Sequence, residues 1–364
     1  MDRAMNRGAA VVLPLIEVGL IAYATYALVY SVGVIYLMNP DKSWNIERRR
    51  STGIGLIVVY FVLFAPMALA FMRLVQVIWA NPGVVPLGDP TSEKKGLSTK
   101  QFDRYDAYTC EYDGLPRWCH DCHNFKPDRS HHSSDLGRCV RRMDHFCPYA
   151  GGMISETSHK FFIQFLFYAA VYTGYVLIVM AVFLADRIQK IGSHPGVWIG
   201  AVACAGVFFL FTSGMFLTTM YYLSENLTTV ESLNRANVTT IAMRGTSPDL
   251  SRAVSTANSA NCVVTQTTPI ITEVQRTNSR SYVVVQTQPG ENPWDMGTLP
   301  NIKSILGNSV FDWFLPLRMS PCIHPSEAGE YEWGIAVQKL MRENGLGSAY
   351  RSRRRRSSHR SSRG

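Results

Sequence analysis

The stretch WCHDCHNFKPDRSHHSSDLGRCVRRMDHFCP, residues 118–148, decides how this chain is read. It contains Cys119-x2-Cys122-x9-His132-x6-Cys139, three sulfurs and one imidazole at a spacing that suits a single tetrahedral zinc ion. His120, His123 and His131 lie close enough in sequence to compete for the nitrogen position, so the choice of histidine stays open at this level. The stretch is rich in Arg, Asp and Ser and poor in core residues, and its folding is expected to depend on the metal. Beyond the metal pattern comes Asp144-His145-Phe146-Cys147. A thiol with an ordinary pKa of ~8.5 is only partly ionised at neutral pH, and a nearby imidazole raises the thiolate fraction. Cys147 is therefore the candidate nucleophile and His145 its base, reached through a tight turn. Asp144 is suited to accept the other imidazole N–H and orient the ring. Arg141 and Arg142 add positive potential, and Pro148 with Gly151-Gly152 predicts a turn behind the thiol.

Working outward, apolar runs occupy 11–37, 54–80, 161–185 and 196–223, each longer than the ~20 residues that cross a hydrocarbon core. A backbone in lipid must satisfy its own hydrogen bonds, so these runs are expected to be helices. The predicted fold is an α-helical integral membrane protein. Four transmembrane helices flank a small cytosolic zinc-binding cysteine-rich domain, 117–160, which lies between helices 2 and 3. Asn81-Pro82-Gly83 stops helix 2. The remainder, 224–364, is a cytosolic C-terminal region. Within it, 245–280 is rich in Ser, Thr and Asn and is expected to be a disordered insert, as is the Arg/Ser tail at 346–364. SYVVVQT, from 281, reads as a strand.

Orientation follows from Lys and Arg. Segment 81–160 carries eleven and the chain after 223 carries sixteen, against two in the 186–195 loop. Both termini and the cysteine-rich segment are expected in the cytosol. Lys42 and Arg48-Arg49-Arg50, in the loop between helices 1 and 2, run against that bias. Reduced thiols fit a cytosolic site. Much of the net charge of +9 sits in the Arg/Ser tail, which suits solvent or anionic headgroups, and no nucleic-acid partner is expected. The helices hold few ionisable groups, which argues against a transporter or channel. Glu17 reads as a polar contact between packed helices, and Arg73 lies near a helix end where it can snorkel.

These motifs together resemble the DHHC protein S-acyltransferases. The resemblance covers most of the chain: KPDRSHH, RCVRRMDHFCP, Thr228-Thr229-Val230-Glu231 after helix 4, Asn81-Pro82-Gly83, and NPWDMGTLPNIKSILG with Asn301. Phe146 in place of the second histidine makes it similar to fungal Pfa-type palmitoyltransferases. The resemblance implies transfer of a palmitoyl group from palmitoyl-CoA to protein cysteines, with Cys147 as acyl-accepting nucleophile assisted by His145 and Asp144. It also implies two structural zinc ions. Here one ligand set is intact as Cys119, Cys122, His132 and Cys139. The positions matching the second set are Ser133, Leu136, Phe146 and Met153, and none of these holds zinc. One ion is therefore expected, with Leu136, Phe146 and Met153 packed together where the second would sit. The usual tryptophan after the Cys-Pro pair is Tyr149 and the paired asparagines are Gly151-Gly152.

The leading expectation is a ping-pong acyltransferase whose partners are acyl-CoA, the bilayer and proteins with membrane-proximal cysteines. The residues that bind CoA are not legible, although nearby basic groups suit its phosphates. The alternative is a catalytically weak, membrane-anchored zinc-knuckle adaptor.

Overall fold

In the computed structural model, which describes residues 3–91, 102, 105–234, 236–245, 272–276, 280–323 and 331–343, every apolar run is helical. Helix α1 spans Arg3–Thr25 and continues as a wider π-coil over Tyr26–Met38. Helix α2 spans Arg50–Ala80, α3 His159–Ile191 and α4 Gly196–Ser224. All four are long and apolar enough to cross a membrane. They outrun the predicted spans because hydropathy falls at the first polar side chains. The helical backbone bonds continue past those side chains.

The chain divides into two compact units. One comprises Met1–Pro82, His145–Tyr221 and Leu306–Ser320, the other Gly83–Asp144, Tyr222–Ile305 and Pro321–Gly364.

In the first unit, large apolar side chains point outward from all four helices, among them Leu15, Val62, Ile178 and Leu210, each more than 60% exposed. A belt of that kind is stable against lipid tails and not against water. Inward-facing Leu28, Tyr36, Tyr60, Met180 and Trp198 form the core. The polar groups inside it are partnered: Tyr60 Oη lies 2.6 Å from Thr25 Oγ1 and 2.7 Å from Tyr172 Oη. Such bonds join helices where no water competes. Where α2 starts and α3 ends, Arg49 pairs with Asp186, and the Tyr36 hydroxyl donates to the same carboxylate at 2.8 Å. The Arg187 guanidinium lies over the rings of Trp44 and Trp198, at 4.7 and 4.8 Å.

The second unit is built on a four-stranded antiparallel sheet of order β1-β8-β10-β9. Its strands are β1 (Ala107–Thr109), β8 (Thr240–Gly245), β10 (Arg280–Gln286) and β9 (Thr272–Arg276). Period-2 alternation sends Ile241, Met243, Val283 and Val285 to one face, against Trp294, Trp333, Val337 and Leu340. Ala242, Tyr282 and Val284 face the other way, against Phe102, Tyr105, Trp118 and Phe125. Burial on both faces is why SYVVVQT is apolar at consecutive positions. Part of the predicted insert, Thr272–Arg276, is strand β9 and not disordered chain, because pairing with β10 satisfies its backbone. At the ends of the insert Gly245 closes β8 and Arg280 opens β10. Residues 246–271 and 277–279 and the 346–364 tail lie outside the described residues.

Candidate active site and metal centre

The metal pattern folds as two short hairpins in the second unit. Strands β2 (Trp118–Cys119) and β3 (Asn124–Phe125) pair with Cys119 opposite Asn124, which places Cys122 in the connecting turn. Strands β4 (His131–Ser133) and β5 (Arg138–Val140) pair with His132 directly opposite Cys139. The chain just beyond α2 runs alongside them: Val85 N–H donates to Cys139 O at 2.8 Å and Gly88 N–H to Cys122 O at 2.9 Å. One ligand atom from each of Cys119, Cys122, His132 and Cys139 falls within a 4.8 Å cluster. His132 Nδ1 lies 3.4 Å from Cys119 Sγ and 3.3 Å from Cys122 Sγ. Tetrahedral zinc with bonds of about 2.0–2.3 Å requires ligand–ligand edges of roughly 3.5 Å, so the cluster fits that ion. Burial pushes the Cys122 and Cys139 thiols up, and a bound cation is what would release their protons. The His132 ring turns Nε2 toward Asp121, 3.7 Å away, a carboxylate suited to fixing a ligand histidine's tautomer. His132 thus takes the nitrogen position that the sequence left open among four histidines, and among the described residues no other such group gathers.

The proposed second-site positions do not resemble a ligand set. Ser133 is buried, and its Oγ accepts from Leu136 N–H at 3.3 Å. Phe146 lies opposite Met153 in the pairing of β6 (His145–Cys147) with β7 (Gly152–Ile154), in the first unit.

That pairing corrects the expected local geometry. His145 and Cys147 lie on an extended strand, not in a tight turn. In a strand, residues i and i+2 share a face about 6.6 Å apart along the backbone, and i+1 points to the other side. His145 and Cys147 therefore face the same way, and Phe146 faces away from both. The turn follows the thiol: Gly151 N–H donates to Pro148 O, with φ of 77° at Gly151 and 156° at Gly152. A Cβ at Gly152 would come within 2.8 Å of Ile78 Cγ2, so the close approach to α2 requires glycine there. Hydroxyls of Ser155 and Thr157 take up Pro82 O and Asn81 O, carbonyls at the end of α2, at 3.1 and 2.7 Å.

Cys147 packs in an apolar cluster with Leu74, Val77, Ile78, Phe161 and Phe162, and the His145 ring meets Phe162 edge-on at 5.4 Å. Beside the thiol opens a cavity of about 310 Å³ among the helices, lined almost wholly by apolar side chains. Along α4 the lining runs from Met215, packed against the Cys147 cluster, to Ala201. Those fourteen residues rise roughly 21 Å, more than one leaflet of a ~30 Å hydrocarbon core. Glu17, read from sequence as a helix-packing contact, lines this cavity instead.

In the second unit, Asp144 is 4% exposed and both its oxygens are held by one residue. Thr229 N–H donates to Oδ1 at 2.9 Å and Thr229 Oγ1 to Oδ2 at 3.1 Å. Thr229 opens α5 (Thr229–Leu233), which Thr228 and Glu231 cap reciprocally. Thr228-Thr229-Val230-Glu231 entered the sequence reading only as a family motif; that it is a capping box and grips Asp144 is seen in the fold. Asn301, quoted in the sequence for its motif alone, is fully buried. It donates to Ser224 O at 2.8 Å, a carbonyl at the open C-terminal end of α4, and to Asp295.

Four spanning helices, a Cys/His metal cluster and a cysteine opening on a lipid-depth cavity define a membrane acyltransferase of the DHHC type. The DHHC palmitoyltransferase family model matches residues 113–236. The chain is 32% identical to palmitoyltransferase pfa5 of Aspergillus fumigatus, over 95% of this chain and 92% of that protein. It is 28% identical to palmitoyltransferase PFA5 of Saccharomyces cerevisiae over 84% of this chain and 79% of that one. With human palmitoyltransferase ZDHHC15 the identity is 23%, over 84% and 78%. The chain belongs to the DHHC palmitoyltransferase family.

Proposed function

We propose that this chain transfers a palmitoyl or similar long acyl group from acyl-CoA to cysteine thiols of proteins, through an acyl-Cys147 intermediate. The observation that carries the reading is the position of Cys147 at an apolar cavity within the spanning helices. His145 takes the Cys147 proton, and the thiolate attacks the thioester carbonyl. CoA leaves as its thiol after accepting that proton. The thiol of a protein substrate then attacks acyl-Cys147 and restores the free cysteine. One thioester replaces another at each step, so the exchange is nearly balanced in free energy. Asp144 holds the imidazole in orientation. The acyl chain occupies the cavity, where burial contributes ~0.8 kcal/mol per CH2. Cys119, Cys122, His132 and Cys139 hold a structural zinc ion with a closed ligand set. An adaptor without catalysis has no use for a cavity at the thiol, which argues for the enzyme. His145→Ala is expected to slow acylation of Cys147 by palmitoyl-CoA about 10²-fold or more, since the base is lost and the thiol kept. A wild-type rate in that variant would remove His145 from the mechanism.

We further propose that both termini, the metal centre and Cys147 face the cytosol, which brings membrane-proximal cysteines of cytosolic proteins within reach. Charge bias supports this, and the opposing loop is weaker than it reads, because Arg49 is paired with Asp186. A glycosylation reporter inserted in the 39–52 loop is expected to be modified, and an unmodified, protease-accessible reporter would invert the assignment.

A further inference from the structure

We propose that Arg129 is a positioning residue for Asp144, acting through Glu231 and Thr229. This rests on the catalytic reading of Asp144, His145 and Cys147 and assigns what keeps the first of them in place.

The chain of contacts is continuous within the second unit. Arg129 is 6% exposed. Its Nε and Nη2 donate to the two oxygens of Glu231, each at 2.7 Å, a planar fork meeting a carboxylate. Nη1 donates to Asn226 Oδ1 at 3.0 Å and Nη2 to Asn226 O at 2.8 Å. Two neighbouring rings also lie within cation–π range of the guanidinium, Trp294 at 5.2 Å and Tyr331 at 5.4 Å. The hydrogen bonds thus fix Arg129 along its edges. Glu231 Oε2 also accepts from Thr228 N–H at 2.9 Å, while Glu231 N–H donates to Thr228 Oγ1 at 3.2 Å. The next residue, Thr229, grips both oxygens of Asp144.

Helix α5 has five residues, too few to hold a helical turn without outside help. The ion pair supplies that help, and it does so at the end of the helix that meets Asp144. A buried ion pair is a poor device for stability alone, since its desolvation offsets much of the attraction. It is a good device for fixing one geometry. Lysine cannot substitute, because a point charge does not match both carboxylate oxygens at once. Arg129 lies 15 positions before Asp144 and outside both the metal set and the DHFC run, so its link to the site exists only in the fold.

The test is a double-mutant cycle on the purified full-length chain, read as the single-turnover rate of Cys147 acylation by palmitoyl-CoA. Glu231→Gln keeps an acceptor for Thr228 but loses the charge. It is expected to lower the rate roughly 10- to 100-fold, the cost of a small misplacement at a reacting group. The palmitoyl-CoA concentration for half-maximal rate and the bound zinc are expected to stay unchanged, whereas the melting temperature is expected to fall, because the buried Arg129 guanidinium is left without its counter-charge. Adding Glu231→Gln to Asp144→Asn is expected to cost nothing further, because both act through one carboxylate. Arg129→Lys is expected to repeat this pattern and provides the cycle if Glu231→Gln does not fold. Independent, multiplying losses in the double variant would overturn the proposal, as would a loss that tracks zinc content or a Glu231→Gln rate equal to wild type. A wild-type rate in Asp144→Asn alone would overturn the catalytic role of Asp144 itself, and the positioning role with it.

Discussion

Replacing Cys147 with serine is expected to abolish the hydroxylamine-sensitive acyl label that the intact chain acquires from palmitoyl-CoA. The reasoning is chemical before it is structural. A cysteine sulfur is intrinsically far more nucleophilic than a serine hydroxyl, and the thioester it forms is the bond that hydroxylamine cleaves. The loss is expected to be at least ~10³-fold, the scale on which enzymes lose activity when a nucleophile is removed and its surroundings kept. Serine is close to cysteine in size, so the cluster of Leu74, Ile78, Phe161 and Phe162 around it should persist. One control is specific to this molecule. Cys204 is a second free thiol lining the same cavity. It lies eleven residues along α4 from Met215, roughly 16 Å by helical rise, too far for the thioester carbonyl to serve both. Cys204→Ala should therefore label as the wild type does. Equal labelling of the intact chain and Cys147→Ser, or loss of label only in Cys204→Ala, would reject the assignment.

Elemental analysis of the purified chain is expected to give one zinc ion per molecule, and Cys139→Ser is expected to lose it together with acylation. Cys139 is the ligand whose loss should be felt most widely. It stands opposite His132 in one hairpin, and its carbonyl takes the Val85 N–H that ties in the chain leaving α2. Structural zinc contributes about 10–16 kcal/mol of apparent folding free energy in zinc-finger peptides, as much as the whole stability of a typical domain at ~5–15 kcal/mol. A three-ligand remnant should bind far more weakly, leaving the two short hairpins without the metal that joins them. Phe146→His should not bring in a second ion, because Ser133, Leu136 and Met153 still offer no ligand set. Phe146 also lies across from Met153 on the strand face turned away from Cys147. Two tightly bound ions per chain would show that other side chains, such as His120, His123 or His131, had rebuilt a second site.

What the chain order made legible is what local chemistry can encode. Runs of twenty or more apolar residues leave a backbone in lipid no choice but helix, so the four spans could be read directly. A Cys-x2-Cys knuckle followed by His and Cys is a local ligand geometry, and Asp-His-x-Cys is a local reactive set. The Cys/His set gathers as written, and an extended strand, not a turn, carries His145 and Cys147. Other features depended on residues far apart in sequence. Four histidines were equivalent on paper, and only the pairing of β4 with β5 brought His132 to the three sulfurs. Arg49 counted as a free cation until Asp186, 137 positions away, was folded beside it. Glu17 was given a helix-packing role because a sequence cannot say where helices leave a gap, and the fold put it on the cavity wall. Asp144 was assigned a task with no visible means of holding it still, and Thr229 supplies the grip from beyond two spanning helices. Secondary structure and ligand type follow from side chains acting on their neighbours, and these the sequence alone determined. Which charge is neutralised, which imidazole ligates and what clamps a carboxylate follow from closing long loops of chain, and these only the tertiary structure decided.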